Sequence, residues 1–283
     1  MANDHFVQRA VIKFWSTVLP NGRFDNLVYV YDFTDGSLER RSTKKVFAKQ
    51  GLNSPELERR VTQVIDTPLA RFAQQDLKHR SGGGPAPAMG EAVWRAVGIS
   101  SLIQFARFAD GSGLTTDSLE KMLSMNDGQL NSVAKLYYDN HTVGTCSLGA
   151  LVHILLPETG WYFFPAMTVE NRIVWAQALP LSPMTVLFSL PGKVAMAANE
   201  FTLNSMANFS TFTGDAGKKV VVSAAIVATH GQAEVRKQIP EMRKQAEAIR
   251  EKVEQIRWLE AEMYLRMGLE PPVSIPGRLD SPS

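Results

Sequence analysis

Residues 27–38 read Leu-Val-Tyr-Val-Tyr-Asp-Phe-Thr-Asp-Gly-Ser-Leu, which is the pattern of a β-hairpin. β-branched and aromatic residues favour strands, and Asp35-Gly36 between two such runs is typical of a tight turn. Glycine tolerates the positive φ angle that this turn requires. The sequence therefore predicts an N-terminal β-hairpin whose second strand runs on towards Phe47.

The returning strand of this hairpin carries four cationic residues, Arg40, Arg41, Lys44 and Lys45. One interpretation is an edge strand that charge protects from pairing with another sheet. The other is an anion-binding strip that contacts phosphate groups of a nucleic acid or nucleotide. The sequence leaves both interpretations open.

The rest of the chain mixes helical and strand patterns. Ser54-Pro55 has the N-cap and first-turn residues of a helix, which Pro68 is expected to kink. Short apolar runs after Trp161 favour strands. We predict an α+β fold with an N-terminal β-hairpin, central helices, short antiparallel strands and a long C-terminal heptad-patterned helix. The predicted helices are 54–72, 91–109, parts of 115–138 and 147–156, and 194–209, and the predicted strands are 161–167, 173–179, 184–190 and 219–228.

The C-terminal helix is predicted from apolar residues that alternate at spacings of four and three, which is a heptad seam. Pro271-Pro272 forbids its continuation. We expect three parts: an α+β body over 1–230 with a flexible loop at 81–90, the helix over 231–270, and a disordered tail over 271–283. The helix packs along its own subunit or pairs with another chain as a homo-oligomer or with a helical protein partner. The seam residues expected to mediate pairing are Ile239, Met242, Ile249, Val253, Ile256 and Met263.

Composition excludes several classes of protein. The 283 residues carry 30 Lys and Arg against 28 Asp and Glu, a net charge of +2, so no global field indicates a nucleic-acid partner. A single cysteine, Cys146, excludes a disulfide framework. The histidines lack the spacing of metal ligands, and we expect no metal or cofactor. No signal peptide or membrane span is indicated, so we expect a cytoplasmic protein with no membrane partner.

His5 is the histidine singled out for chemistry, because it lies beside Asp4 in the motif Asp4-His5-Phe6-Val7-Gln8. An imidazole near a carboxylate can act as a general acid or base at neutral pH. A structural histidine that caps or braces the N-terminus is the other interpretation.

Four motifs in a fixed order resemble the bacterial domain-of-unknown-function family DUF4238 over residues 4–228. They are His5-Phe6-Val7, Val28 to Asp32, Glu56 to Asp66, and Pro180-Leu181-Ser182-Pro183. The resemblance places Arg107 and Asn204 at the positions of a family arginine and asparagine. Three departures stand out: Gln8 replaces a proline, Asp66 replaces a glutamate, and 164–167 lacks the family's Ser-Asp-x-Pro. If the family is enzymatic, these departures imply a divergent or inactive member.

Two functions follow as expectations. The first is a non-catalytic interaction or assembly protein that acts through its C-terminal helix, and the family analogy links it to stress or anti-phage defence. The second is a hydrolase of a nucleic acid or nucleotide. In the second, His5 is the general acid or base, Asp66 orients it, and Arg107 holds an anionic group, with Glu58 nearby.

Overall fold

The computed structural model describes residues 3–5, 9–50, 54–80, 82–110, 121–139, 141–147, 155–157, 162–167, 173–183, 185–191 and 218–268. Helices and small antiparallel sheets together confirm the α+β class. The elements in chain order are β1 (Asn3–His5), α1 (Arg9–Ile12), a 3-10 turn (Lys13–Trp15), β2 (Leu27–Asp32), β3 (Ser37–Ser42), β4 (Ala48–Gln50), α2 (Pro55–Val61), a π turn (Thr62–Asp66), α3 (Thr67–Arg80), α4 (Glu91–Asp110), α5 (Asp127–Asp139), β5 (His141–Ser147), β6 (Leu156–Pro157), β7 (Tyr162–Met167), β8 (Ile173–Ser182), β9 (Thr185–Pro191), β10 (Lys219–Val222), α6 (Ala224–His230) and α7 (Gln232–Arg266).

The predicted hairpin is confirmed and lies at the edge of a sheet, but its second strand ends at Ser42 instead of running on towards Phe47. β2 and β3 pair antiparallel, with Leu27 opposite Ser42 and Asp32 opposite Ser37. Gly36 has a φ of 69°, a conformation that glycine adopts without the steric cost that a side chain brings. This sheet has the strand order β3-β2-β10-β6, so the basic strand β3 is an edge strand.

A second four-stranded sheet has the order β5-β9-β8-β7, which confirms the three predicted strands after Trp161. β8 and β9 form its central hairpin, with an irregular register between Pro180 and Ser182. A further small sheet pairs β1 with β4. The predicted helix over 147–156 is wrong at both described ends, because Ser147 ends β5 and Leu156 begins β6.

Helix α2 begins as predicted, with the Ser54 hydroxyl accepting a 3.2 Å hydrogen bond from the Leu57 amide. The predicted kink at Pro68 takes the form of the π turn, in which the Thr67 amide donates to Thr62 O, five residues back. In an α-helix the Pro68 ring would clash with the carbonyl four residues back, Val64 O. The wider turn accommodates the proline while α2 and α3 continue as one helical rod.

The glycines at the start of the loop 81–90 end helix α3. The Gly82 amide donates to His79 O at 2.9 Å and the Gly83 amide to Lys78 O at 2.9 Å, a Schellman motif with Gly82 at a φ of 78°. The next carbonyl, Gly84 O, lies 2.8 Å from His79 Nδ1. Gly82 and Gly83 therefore form the C-cap of α3, and the flexibility of the loop 81–90 stays a prediction.

Two clusters of buried side chains form the described core. One joins α2, the π turn, α3, α4 and α5 to the β8–β9 hairpin. The other packs β2, β3 and β10 against α6 and α7. The predicted strand 219–228 is wrong beyond Val222, because Ile226 and Val227 belong to α6 and pack on this sheet from a helix.

The first two turns of α7 belong to the body of the protein. Val235 and Ile239 are each 2% exposed within the second core cluster, and the Arg243 guanidinium lies 4.5 Å from the centre of the Phe33 ring. The second core cluster therefore extends past the predicted boundary at 230/231 into the first turns of the helix, and that boundary stays a prediction. Ile239 is also removed from the predicted oligomerisation set, because its own chain buries it.

The remainder of α7 presents its described side chains to solvent. From Lys244 to Gly268 they are exposed, apart from the half-buried Glu262 and Tyr264. Within the described part of the chain, no helix has the length and apolarity of a membrane span. The predicted tail over 271–283 and the predicted helix over 194–209 lie outside the described residues.

Candidate functional site

The π turn places two carboxylates on one side of the helical rod. Eight residues separate Glu58 from Asp66, which in an α-helix leaves them about 80° apart around the axis. The π turn accommodates one extra residue, so the pair falls close to the seven-residue spacing that aligns side chains two turns apart. Electrostatic repulsion from Glu58 at Asp66 agrees with this alignment.

Asp66 is set up to hold a proton near neutral pH. As a whole residue it is half-buried, while its carboxyl group is largely enclosed by protein. Burial, with a smaller contribution from the negative charge of Glu58, raises the pKa of Asp66 from 3.8 to about 7. A carboxyl with such a pKa exchanges a proton at physiological pH, which is the property required of a general acid or base.

The structure locates the other two members of the predicted catalytic set only by their backbone. His5 ends β1 and lies opposite Ala48 of β4. Arg107 lies in α4, the helix that packs against the π turn. The side chains of His5 and Arg107 lie outside the described residues, so their convergence on Asp66 stays a prediction. Asn204, which the resemblance places at the position of a family asparagine, also lies outside them.

The basic strand behaves largely as a charged edge strand. Arg40 pairs with Asp25 at 2.7 Å and lies over the Tyr29 ring, with 5.8 Å from its guanidinium carbon to the ring centre. Arg41 pairs with Glu39 at 2.9 Å. Lys44 and Lys45 follow β3 and are exposed. Neutralised arginines favour the edge-strand interpretation over an anion-binding strip.

A cleft of about 720 Å³ lies between the start of α2 and residues 123–127. Arg60 holds its two walls together, donating to Leu123 O at 3.2 Å, Met125 O at 3.0 Å and Asp127 Oδ1 at 2.7 Å. The bond from Arg60 holds the pKa of Asp127 below its ordinary value. Because these three bonds tie α2 to residues 123–127, Arg60 acts as a clamp that shapes the cleft.

The cleft and the carboxylate pair occupy different sides of the rod, since neither Glu58 nor Asp66 is among the cleft-lining residues. Sequence reasoning missed this cleft. The sequence pattern that could have indicated the side of the cleft at residues 123–127 is Asn126-x-x-Gln129. Asn126 Oδ1 accepts a hydrogen bond from the Gln129 backbone amide, and Gln129 Oε1 accepts one from the Asn126 backbone amide. This reciprocal pair is a capping box that starts α5.

The seam of α7 is described in part. Met263 and Met267 are 61% and 58% exposed, and Met242 is half-buried. The side chains of Ile249, Val253 and Ile256 lie outside the described residues, although their backbone is helical. Nine large apolar side chains of the described residues are exposed, and four of them fall between 259 and 267.

Within the described residues, no group of three or more His, Cys, Asp or Glu side chains could hold a metal ion. No protein-family model, curated protein or solved structure matches the chain. The geometry therefore supplies two candidates for function: the exposed seam of α7 and the Glu58/Asp66 carboxylate pair.

Proposed function

We propose that this chain is an interaction and assembly protein of the DUF4238 type, which self-associates or binds a helical partner through the seam of α7. A role in bacterial stress or anti-phage defence is part of this proposal and rests on the family analogy. The observation that carries it is the exposure of Leu259, Met263 and Met267 on one helix. Apolar side chains concentrated in this way are typical of a binding surface.

The length of the free seam supports the proposal. From Ala246 to Met267 the helix extends for about 33 Å at about 1.5 Å per residue. Its first two turns are already fixed in the core by Val235 and Ile239. A partner would therefore meet a helix that its own body holds in place, which reduces the entropy lost on binding.

The test compares two substitutions of matched exposure. Met263→Asp places a charge in the seam, whereas Leu265→Asp places the same charge on the opposite side, at a residue that is 58% exposed. Sedimentation velocity of the full chain measures self-association, and fluorescence anisotropy with labelled amphipathic helical peptides measures partner binding. We expect Met263→Asp to weaken association about tenfold and Leu265→Asp to leave it unchanged. Equal effects, or a monomer that binds no helical peptide, would refute the proposal.

The carboxylate pair favours a second candidate function, hydrolysis of a nucleotide or nucleic acid. In this proposal Asp66 exchanges a proton with the substrate or with His5, and Arg107 binds a phosphate group. The alignment of Glu58 with Asp66 by the π turn supports it, because π turns occur frequently at functional sites.

Hydrolysis of ATP, GTP, RNA and DNA by the full chain tests this second candidate. Asp66→Asn keeps the shape of the side chain and removes its titration, and we expect it to lower the rate by on the order of 100-fold. Asp139→Asn, in an exposed ion pair with Lys135, is the control and should retain full activity. Absence of hydrolysis by the wild-type chain, or equal rates in both variants, argues against an enzyme.

A further inference from the structure

The positions that flank the seam of α7 carry one sign of charge. In a heptad, the residues beside the two apolar positions are the ones that face the flanks of a partner helix. In α7 between residues 243 and 266, five of these eight residues are basic and none is acidic. They are Arg243, Gln245, Arg250, Lys252, Arg257, Leu259, Tyr264 and Arg266.

The acidic residues of the same helix lie elsewhere. Between residues 241 and 262, five glutamates occupy the three heptad positions farthest from the seam, and one lies in the seam itself. The five are Glu241, Glu247, Glu251, Glu254 and Glu262, and the one in the seam is Glu260. The helix is thus balanced in total charge and strongly polarised around its axis.

This polarity disfavours a second copy of the chain as the partner. In a parallel pair, Lys252 of one copy would face Arg257 of the other, and like charges across a seam select against pairing. In an antiparallel pair the basic flanks would again meet basic flanks. Glu260 adds to the repulsion, because in a parallel pair it would face Glu260 of the second copy across the seam.

Two of the flanking cations in the free part of the helix have described side chains, and both are accessible. Lys252 is exposed, and Arg266 is 77% exposed while it pairs with Glu262 at 2.6 Å. A pair this exposed contributes little to stability and can be exchanged for a carboxylate of a partner. Leu259, Met263 and Met267 lie beside these cations as apolar anchors.

We propose that residues 246–267 bind an amphipathic helix of a different protein, one whose apolar seam is flanked by Asp and Glu. This inference rests on the proposed function and specifies its partner. An anionic membrane surface or a nucleic acid fits less well. Either would extend past the seam and approach Glu247, Glu251 and Glu254.

The test uses two synthetic helical peptides with the same Leu and Ile seam, one with Glu and one with Lys at every flanking position. Each is labelled and titrated with the full chain at low and at physiological salt. We expect the acidic peptide to bind about tenfold more tightly, with a preference that salt weakens. Equal affinities would overturn the inference.

Two matched double variants test whether the preference for the acidic peptide depends on the basic residues that flank the seam. Lys252→Glu with Arg257→Glu reverses two flanking charges, and we expect it to invert the peptide preference. Lys237→Glu with Lys244→Glu makes the same change in net charge on the outer side, at two exposed lysines, and should leave the preference intact. The same effect from both variants would show a general charge effect and overturn the inference.

The remaining outcomes separate this inference from the proposed function. Self-association of the wild-type chain that Met263→Asp abolishes would keep the proposed function and overturn the inference. Binding to vesicles of phosphatidylserine and phosphatidylcholine, or to DNA, without binding to the acidic peptide would also overturn the inference. A monomer that binds neither peptide would overturn both.

Discussion

Thr185 and Asp76 form a buried hydrogen bond, with Thr185 Oγ1 donating to Asp76 Oδ2 at 2.7 Å. The same carboxylate oxygen accepts from Arg80 Nε, also at 2.7 Å. Asp76 is 3% exposed and Thr185 is fully buried, so this contact fixes the start of β9 against α3 inside the core. A single carboxylate thus joins the helical half of the molecule to the second sheet.

Asp76→Ala should destabilise the protein by about 3 kcal/mol, because it leaves the Arg80 guanidinium without its buried partner. Thr185→Val removes only one hydrogen bond from the same oxygen and should cost about 1 kcal/mol. Urea unfolding followed by far-UV circular dichroism measures both. The control is Asp139→Ala in an exposed ion pair, expected to change the free energy of unfolding by less than about 0.5 kcal/mol. Equal costs for Asp76→Ala and Asp139→Ala would contradict this role.

The raised pKa of Asp66 makes stability depend on pH. The folded chain holds the Asp66 proton up to about pH 7, while in the unfolded chain the carboxyl ionises near its ordinary pKa of 3.8. Between these values the folded state binds the extra proton, so the contribution of Asp66 to stability is fully present below pH 3.8, falls as pH rises and is lost above about pH 7. At about 1.4 kcal/mol per pH unit, the loss from pH 5 to pH 8 is on the order of 3 kcal/mol.

Asp66→Asn should remove this loss, and urea unfolding at pH 5 and pH 8 measures it for both proteins. The variant is expected to be more stable than the wild type at pH 8. Glu58→Gln should shift the midpoint of the loss to lower pH, because it removes the repulsion that helps to raise the Asp66 pKa. If the wild type and Asp66→Asn show parallel pH profiles, Asp66 does not titrate near pH 7.

Local signals predicted the elements whose cause is local. Asp35-Gly36 specified the hairpin turn, and Ser54-Pro55 specified the start of α2. The apolar run after Val222 was predicted as a strand because its composition suits one. In the structure, Ile226 and Val227 pack with Val235 and Ile239 from a helix instead. That tertiary contact is not visible in the local sequence pattern.

The candidate site was predictable in part for the same reason. Pro68 indicated a disturbance in the helix, but either a kink or a π turn relieves the clash between its ring and the preceding turn. The core cluster shared by Val64, Ile65 and Val97 decides between them, and it depends on tertiary packing. The contact between Asp76 and Thr185 spans 109 residues, and no local pattern specifies it.

Removing one residue tests the π turn directly. Deleting the exposed Gln63 together with Pro68→Ala should convert the π turn into regular α-helix. The side chains of α2 and α3 should then keep their present orientations around the helix axis. We expect equal or higher thermal stability, because the widened turn and the helix-breaking proline are both removed. Deleting the exposed Gln74 from α3 is the control. It would rotate the preceding part of the rod by about 100° relative to the rest and should unfold the protein. Comparable unfolding by both deletions would argue against a π turn.

Truncating an apolar side chain should cost much more stability at the start of α7 than near its end. Ile239 is 2% exposed in the core shared with Tyr31 and Val222, so Ile239→Ala should cost about 3 kcal/mol of folding free energy. Met263 is 61% exposed, so Met263→Ala should cost less than about 0.5 kcal/mol in the monomer. Chemical denaturation at several protein concentrations measures both. If the Met263→Ala cost grows with protein concentration, the seam is buried by self-association. A small loss of folding free energy in Ile239→Ala would instead show that the first turns of α7 are not packed in the core.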